Sequence, residues 1–187
     1  MEKTNTKKMV LSGLLIAIVI ILQYLGAFIH FGPFSISLVL IPIVVGAAVC
    51  GKNIGALLGG VFGIIVLITD SAAFMAVSPL GTFLTVMVKG ILAGFFAGFV
   101  YKALSKFNRY FAVIVSAIVC PVVNTGIFLI GCKLFFMTLI TTWAQEAGFP
   151  NAGEFMIIGL VGTNFLVELL INIVLSPVIV RLINSKN

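Results

Sequence analysis

From residue 9 to residue 183 the chain is a train of apolar runs separated by short polar turns. Most runs reach the ~20 residues that an α-helix needs to cross bilayer hydrocarbon. Hydrophobic residues make up 61% of the 187 and charged ones only 9%, a balance outside the soluble range. The expected fold class is therefore an all-α integral membrane protein, a compact bundle of six transmembrane helices. No hydrophilic stretch is long enough to fold as a second domain. Residues 1–8 read as a basic leader, 9–183 as a single membrane domain that binds a substrate, and 184–187 as a tail.

Turn chemistry sets the boundaries. A first helix over 9–29 is too long for a signal peptide's apolar core and stops at His30-Phe-Gly-Pro33, because proline cannot continue the helical ladder. A second helix over 36–50 contains Pro42, which predicts a kink. Gly51-Lys52-Asn53 turns the chain into a third helix that ends near Ile68. The connection 69–81 has room for a short interfacial helix. A fourth helix covers 82–104, a fifth 110–136 with a kink at Pro121, and a sixth 155–183. Between the last two, 138–154 is the longest outer segment.

Lysine and arginine give the orientation. With the N-terminus inside, Lys3, Lys7, Lys8, Lys52, Lys102, Lys106, Arg109, Arg181 and Lys186 fall on the cytoplasmic side, and only Lys133 falls outside. The positive-inside rule then places both termini in the cytoplasm and the protein in the cell membrane as a multi-pass span. The net charge of +6 is accounted for by these helix ends, so it does not point to nucleic acid.

One cation breaks the pattern. Lys89 lies inside the fourth apolar run, roughly 10 Å from its outer end. A lysine in hydrocarbon costs about 2.5–3.5 kcal/mol on insertion scales and normally faces a cavity or a partner. Other polar groups reach similar depths. Asp70 closes the outer end of the third helix, Asn124 sits in the outer half of the fifth, and Asn164 in the outer half of the sixth. Asn164, Glu168 and Asn172 follow at four-residue intervals and share one face. Lys89, Asn124, Asn164, Glu168 and Asp70 are thus candidate substrate contacts: Lys89 for an anionic group, the asparagines for hydrogen bonds. Trp143, with Phe149, is a candidate lid in the outer loop, although interfacial anchoring is the commoner role of tryptophan. The competing interpretation is a buried Lys89–Glu168 pair that only fixes helix register. Asn172 reads as structural and His30 as a headgroup-level loop residue.

Two glycine series repeat every fourth residue, Gly51, Gly55, Gly59, Gly63 and Gly90, Gly94, Gly98. Each places side-chain-free positions on one helix face, where another backbone can approach. Cys50, Cys120 and Cys132 lack metal-ligand spacing and read as small packing residues, so no metal or other cofactor is expected. Gly46-Ala-Ala-Val-Cys-Gly51-Lys52-Asn53 imitates a phosphate-binding loop, but Asn53 stands where a hydroxyl would hold magnesium. No nucleophile elbow or zinc-protease pair is present. The chain is read as no enzyme, and any ATP hydrolysis belongs to partner subunits.

Ile36-Ser-Leu-Val-Leu-Ile-Pro-Ile-Val-Val-Gly-Ala47, the glycine-rich third helix, Pro79-Leu-Gly-Thr and Val88-Lys-Gly-Ile-Leu-Ala-Gly94 resemble the substrate-binding S components of energy-coupling factor (ECF) vitamin transporters. The pattern is most similar to the group that includes pantothenate and riboflavin binders. The resemblance implies a water-soluble vitamin bound from outside, and a transmembrane T component with two ATPases as partners. It also implies release by rotation of the whole S component in the membrane. Family ligand sites use the outer halves of helices four to six, the zone of Lys89, Asn124 and Asn164. The family's small-xxx-small motif on helix 1, which meets the T component, falls here on Gly13 and Ala17. A second class remains open from the residues themselves: a stand-alone secondary transporter that uses Glu168 for ion coupling.

Overall fold

The computed structural model describes the backbone of residues 2–26, 30–31, 34–35 and 38–184, and the side chains of 6–26, 38–162 and 165–175. The side chains of Lys3, His30, Asn164, Arg181 and Lys186 lie outside the described residues. Helix α1 (Glu2–Gly26) is followed by a two-residue antiparallel pair, β1 (His30–Phe31) and β2 (Phe34–Ser35). Then come α2 (Leu40–Cys50), α3 (Lys52–Thr69), the short α4 (Ala72–Val77), α5 (Pro79–Leu104), α6 (Arg109–Phe135) and α7 (Met137–Glu146). A single turn, α8 (Ala152–Glu154), runs into a π-helical stretch (Phe155–Gly162) and then α9 (Thr163–Asn184).

Among the described residues, five stretches are long and apolar enough to cross a membrane: Thr6–Gly26, Lys52–Thr69, Pro79–Leu104, Arg109–Phe135 and Ala152–Leu175. Helix α2 has 11 residues, roughly 16 Å of rise, about half the hydrocarbon thickness. The sequence predicts this helix from residue 36 with a kink at Pro42; the structure starts it at Leu40. Pro42 therefore sits in the first turn, where its missing N–H would have had no helical partner anyway. It marks a start, not a bend. Large apolar side chains face outward on every long span, among them Leu14, Ile64, Phe83, Ile130 and Leu170, as lipid-facing surfaces require.

Helix ends follow their caps. Ser78 Oγ accepts from the Gly81 N–H at 3.2 Å with Pro79 at the first helical position, so α5 begins three residues before the apolar run. Asn108 Oδ1 accepts from the Phe111 N–H at 3.1 Å and opens α6. Gly51 adopts φ +102° between α2 and α3, a backbone state that residues with a Cβ rarely take.

The two glycine series meet each other. Gly55 faces Gly94 and Gly59 faces Gly90, and a Cβ built on any of the four collides with the opposite backbone carbonyl. Gly63 stands against the Val86 carbonyl, 3.1 Å from such a Cβ, and Gly98 against Lys52 Cα at 2.6 Å. The pairing runs in opposite directions along the two chains, so α3 and α5 are antiparallel. Lipid tails are as apolar as leucine and give helices little hydrophobic reason to associate, so van der Waals packing at such small-residue seams holds membrane bundles. Helix α5 packs on α6 along its other side, where Gly131 accommodates the Thr85 side chain. α5 is the central plank of the bundle.

Candidate functional site

Lys89 is one residue before the Gly90–Gly59 crossing. The absence of side chains there brings α3 so close that the lysine stands beside Phe62. Its Nζ lies 5.7 Å from the Phe62 ring centre and 5.2 Å from that of Phe128 on α6, within cation–π range of both. Lys89 does not run out to the headgroups. It lines a partly open cavity of about 100 Å³ together with Asp70, Asn124 and Glu168. One water needs ~10–15 Å³ on this measure, so the space accepts a small solute.

The cavity walls come from six helices, Phe74 of α4 among them, and the π-helical stretch. Gln23 enters from α1, Phe62 and Val66 from α3, Lys89 and Val86 from α5, Asn124 and Phe128 from α6. Leu160 and Val161 of the π-helical stretch, with Phe165 and Glu168 of α9, close the remaining side. π-helical turns are rare and concentrate at functional sites; here one supplies cavity wall directly.

Polar groups are distributed unevenly. Asp70 is the C-cap of α3, its N–H bonded to the Val66 carbonyl at 2.9 Å. Its Oδ2 accepts from Gln23 Nε2 at 2.7 Å and from the Thr69 hydroxyl. Glu168 and Asn124 are buried, at 7% and 5% exposure, and Asn124 Oδ1 has no hydrogen-bond partner among the described residues. A buried acceptor left unpaired costs about 1–3 kcal/mol, which a ligand N–H or O–H would recover.

The structure thus brings four of the sequence candidates, Lys89, Asn124, Glu168 and Asp70, around one cavity. Asn164 belongs to α9, but its side chain lies outside the described residues. Trp143 is not a wall residue. It packs edge-on against Phe74 at 5.6 Å, and Phe74 forms wall in its place. Phe74 is also edge-on to Phe128 at 5.8 Å and Phe136 at 5.0 Å, so α4, α6 and α7 share one aromatic cluster at that end. Asn172 donates to the Glu168 carbonyl at 2.8 Å and lies outside the cavity wall. Gly13 and Ala17 are exposed on α1, and a Cβ at Gly13 would meet nothing within 4 Å.

Gln23, Phe62, Phe74 and Phe128 are wall residues that the sequence argument did not single out. Gln23 was within its reach, as a polar interruption of the first apolar run. The phenylalanines were not, because nothing local separates these from the other members of a set of 17.

A helical membrane protein with a solute-sized cavity whose described wall carries one cation and flanking hydrogen-bonding groups could hold a small polar molecule. The sequence model of one family, the substrate-specific component of ECF transporters, matches residues 7–180, and the chain belongs to that family. It is a transporter subunit that supplies substrate specificity. It is also 28% identical over 199 residues to the pantothenic acid transporter PanT of Lactococcus lactis subsp. cremoris (strain MG1363), with 96% of this chain and 95% of the relative covered.

Proposed function

We propose that this S component binds pantothenate from the outside of the cell membrane and delivers it through a T component driven by two ATPase subunits. The observation that carries the ligand class is the Lys89 ammonium over Phe62 and Phe128 at a cavity wall. A cation kept at that depth calls for an anion, and the carboxylate of pantothenate supplies one. Asn124 and Asn164 hydrogen-bond the middle of the ligand, Glu168 and Asp70 complete the polar lining, and Trp143 holds Phe74 as part of the closure. The relative whose printed name specifies pantothenic acid supports the choice among vitamins.

The proposed topology has six crossings, with α2 as the short one, and cytoplasmic termini around a single domain over 9–183. Lys52, Lys102, Lys106 and Arg109 support it, since they gather at the end of the bundle opposite Asp70. The deciding experiment is native mass spectrometry of the detergent-purified protein, with an adduct of pantothenate mass expected. Trp143 is the only tryptophan, and it touches a wall residue. Its fluorescence should change saturably on titration with pantothenate. No adduct and a flat titration would reject the vitamin assigned.

Gly13 and Ala17 form the proposed contact with the T component. Gly13→Leu/Ala17→Leu should leave the pantothenate titration unchanged, because both positions face away from the bundle. The same pair should abolish co-purification with the T component and ATPases. Intact assembly in that variant would move the contact to another face.

A further inference from the structure

We infer that Gln23 sets specificity in this cavity: its side-chain oxygen accepts a ligand hydroxyl, and Asp70 orients the amide so that oxygen, not nitrogen, faces the ligand. Resting on the pantothenate reading, this adds a named contact and a selectivity to it. Gln23 belongs to α1, lines the cavity and is 2% exposed. A glutamine amide has a donor end and an acceptor end of similar size, so its neighbours decide which end faces where. Here the neighbour is Asp70, whose Oδ2 receives Gln23 Nε2 at 2.7 Å. An ionised carboxylate accepts hydrogen bonds and donates none. The amide NH2 group therefore turns to Asp70, and Oε1 turns away from it. That orientation holds whatever else meets the carboxylate.

Oε1 has no donor among the described residues and is not one of their fully enclosed unpaired polar atoms. The small part of Gln23 that stays open therefore includes this oxygen, and the space it opens onto is the cavity that Gln23 lines. A carbonyl oxygen there selects an O–H or an N–H on the ligand. Pantothenate offers two hydroxyls and one amide N–H. Asn124 serves the middle of the ligand, where the amide lies, which leaves a hydroxyl for Gln23. Lys89, Asp70 and Glu168 are the charged groups of the described wall. Charge cannot tell an alcohol from its deoxy or ether form, because all three carry the same charge. Gln23 can. Against an ether two acceptors face each other, and against a hydrogen atom the oxygen is left unpaired.

The test changes protein and ligand separately, by titration calorimetry on the purified full chain. The ligands are pantothenate and its two single-deoxy analogues, each lacking one hydroxyl. The variants are Gln23→Met and Gln23→Leu, which keep an apolar side chain and remove the amide. The wild type should bind one of the deoxy analogues about 30-fold more weakly than pantothenate, since a site that hydrogen-bonds a hydroxyl rejects the analogue without it. Gln23→Met should lose a similar factor for pantothenate but no more than about threefold for that analogue, because donor and acceptor are then both absent and nothing is left unpaired. A glutamine that only holds Asp70 in place would behave differently, and its loss would weaken all three ligands by one common factor.

Equal factors for the three ligands would overturn the Gln23 contact while leaving the vitamin in place. So would a wild type that binds both deoxy analogues within roughly threefold of pantothenate. If neither variant folds, that wild-type comparison decides alone. A wild type that binds no pantothenate rejects the vitamin, and the Gln23 contact with it.

Discussion

Lys89→Met should lower pantothenate affinity by about 100-fold or more. Removing one partner of a buried charged contact typically costs 3–5 kcal/mol, and each 1.4 kcal/mol is a factor of ten. Methionine retains the length and apolar stem of the side chain, so the packing on Phe62 and Phe128 persists while the charge is lost. The single variant also removes the one cation of the described wall that Glu168 and Asp70 share, a change that acts on binding indirectly. Lys89→Met/Glu168→Gln separates the two effects by restoring the charge balance of the cavity. If Lys89 serves only to neutralise Glu168, the double variant regains wild-type affinity. If the ammonium touches the ligand, the double variant remains as weak as the single one. Titration calorimetry on both proteins distinguishes these outcomes, and an affinity within threefold of wild type in either would remove Lys89 from the site.

The second large effect is expected at the α3–α5 seam. Gly59→Ala places a methyl group on the Gly90 carbonyl. The obstacle is backbone on both sides, so no side chain can swing away and the helices have to separate. Overpacking of this kind costs about 1–3 kcal/mol and occasionally more, a fall of roughly 2–12 °C in Tm for a chain of this size. Gly90→Ala should behave alike, because the collision is reciprocal. Gly60→Ala is the control: its methyl meets only the Ile91 side chain, at 3.5 Å, an ordinary contact. Equal melting temperatures for Gly59→Ala and Gly60→Ala would contradict the seam. Gly59→Ala should weaken ligand binding too, since the same crossing sets Lys89 beside Phe62. In this protein the packing motif and the Lys89 contribution to the proposed site are neighbours on one helix.

That adjacency explains how unevenly the site can be read. Lys89 and Glu168 stand out in the sequence because a charge in hydrocarbon is costly wherever the helix packs. The four-residue glycine spacing likewise announces a close-packing face. Neither signal says what the face meets, and the reciprocal pairing of Gly59 with Gly90 emerges only when α3 and α5 are laid together. The contacts of Trp143 are illegible for a related reason. An outer-loop tryptophan suggests a lid or an interfacial anchor, and only the fold shows that the indole packs edge-on against Phe74, which lines the cavity. Pro42 shows the limit on local structure, as a proline in an apolar run is equally compatible with a kink and with a first turn.

The amino-acid sequence by itself determined the solvent, the helical class and the charged residues of the cavity, Lys89, Asp70 and Glu168. Those follow from hydrophobicity, helix length and the cost of burying charge, which act residue by residue. The tertiary structure alone decided which polar groups converge, which phenylalanines line the cavity, and that Gln23 anchors Asp70. Those depend on contacts between helices far apart in the chain, where the partner's shape selects among faces that look alike along the sequence.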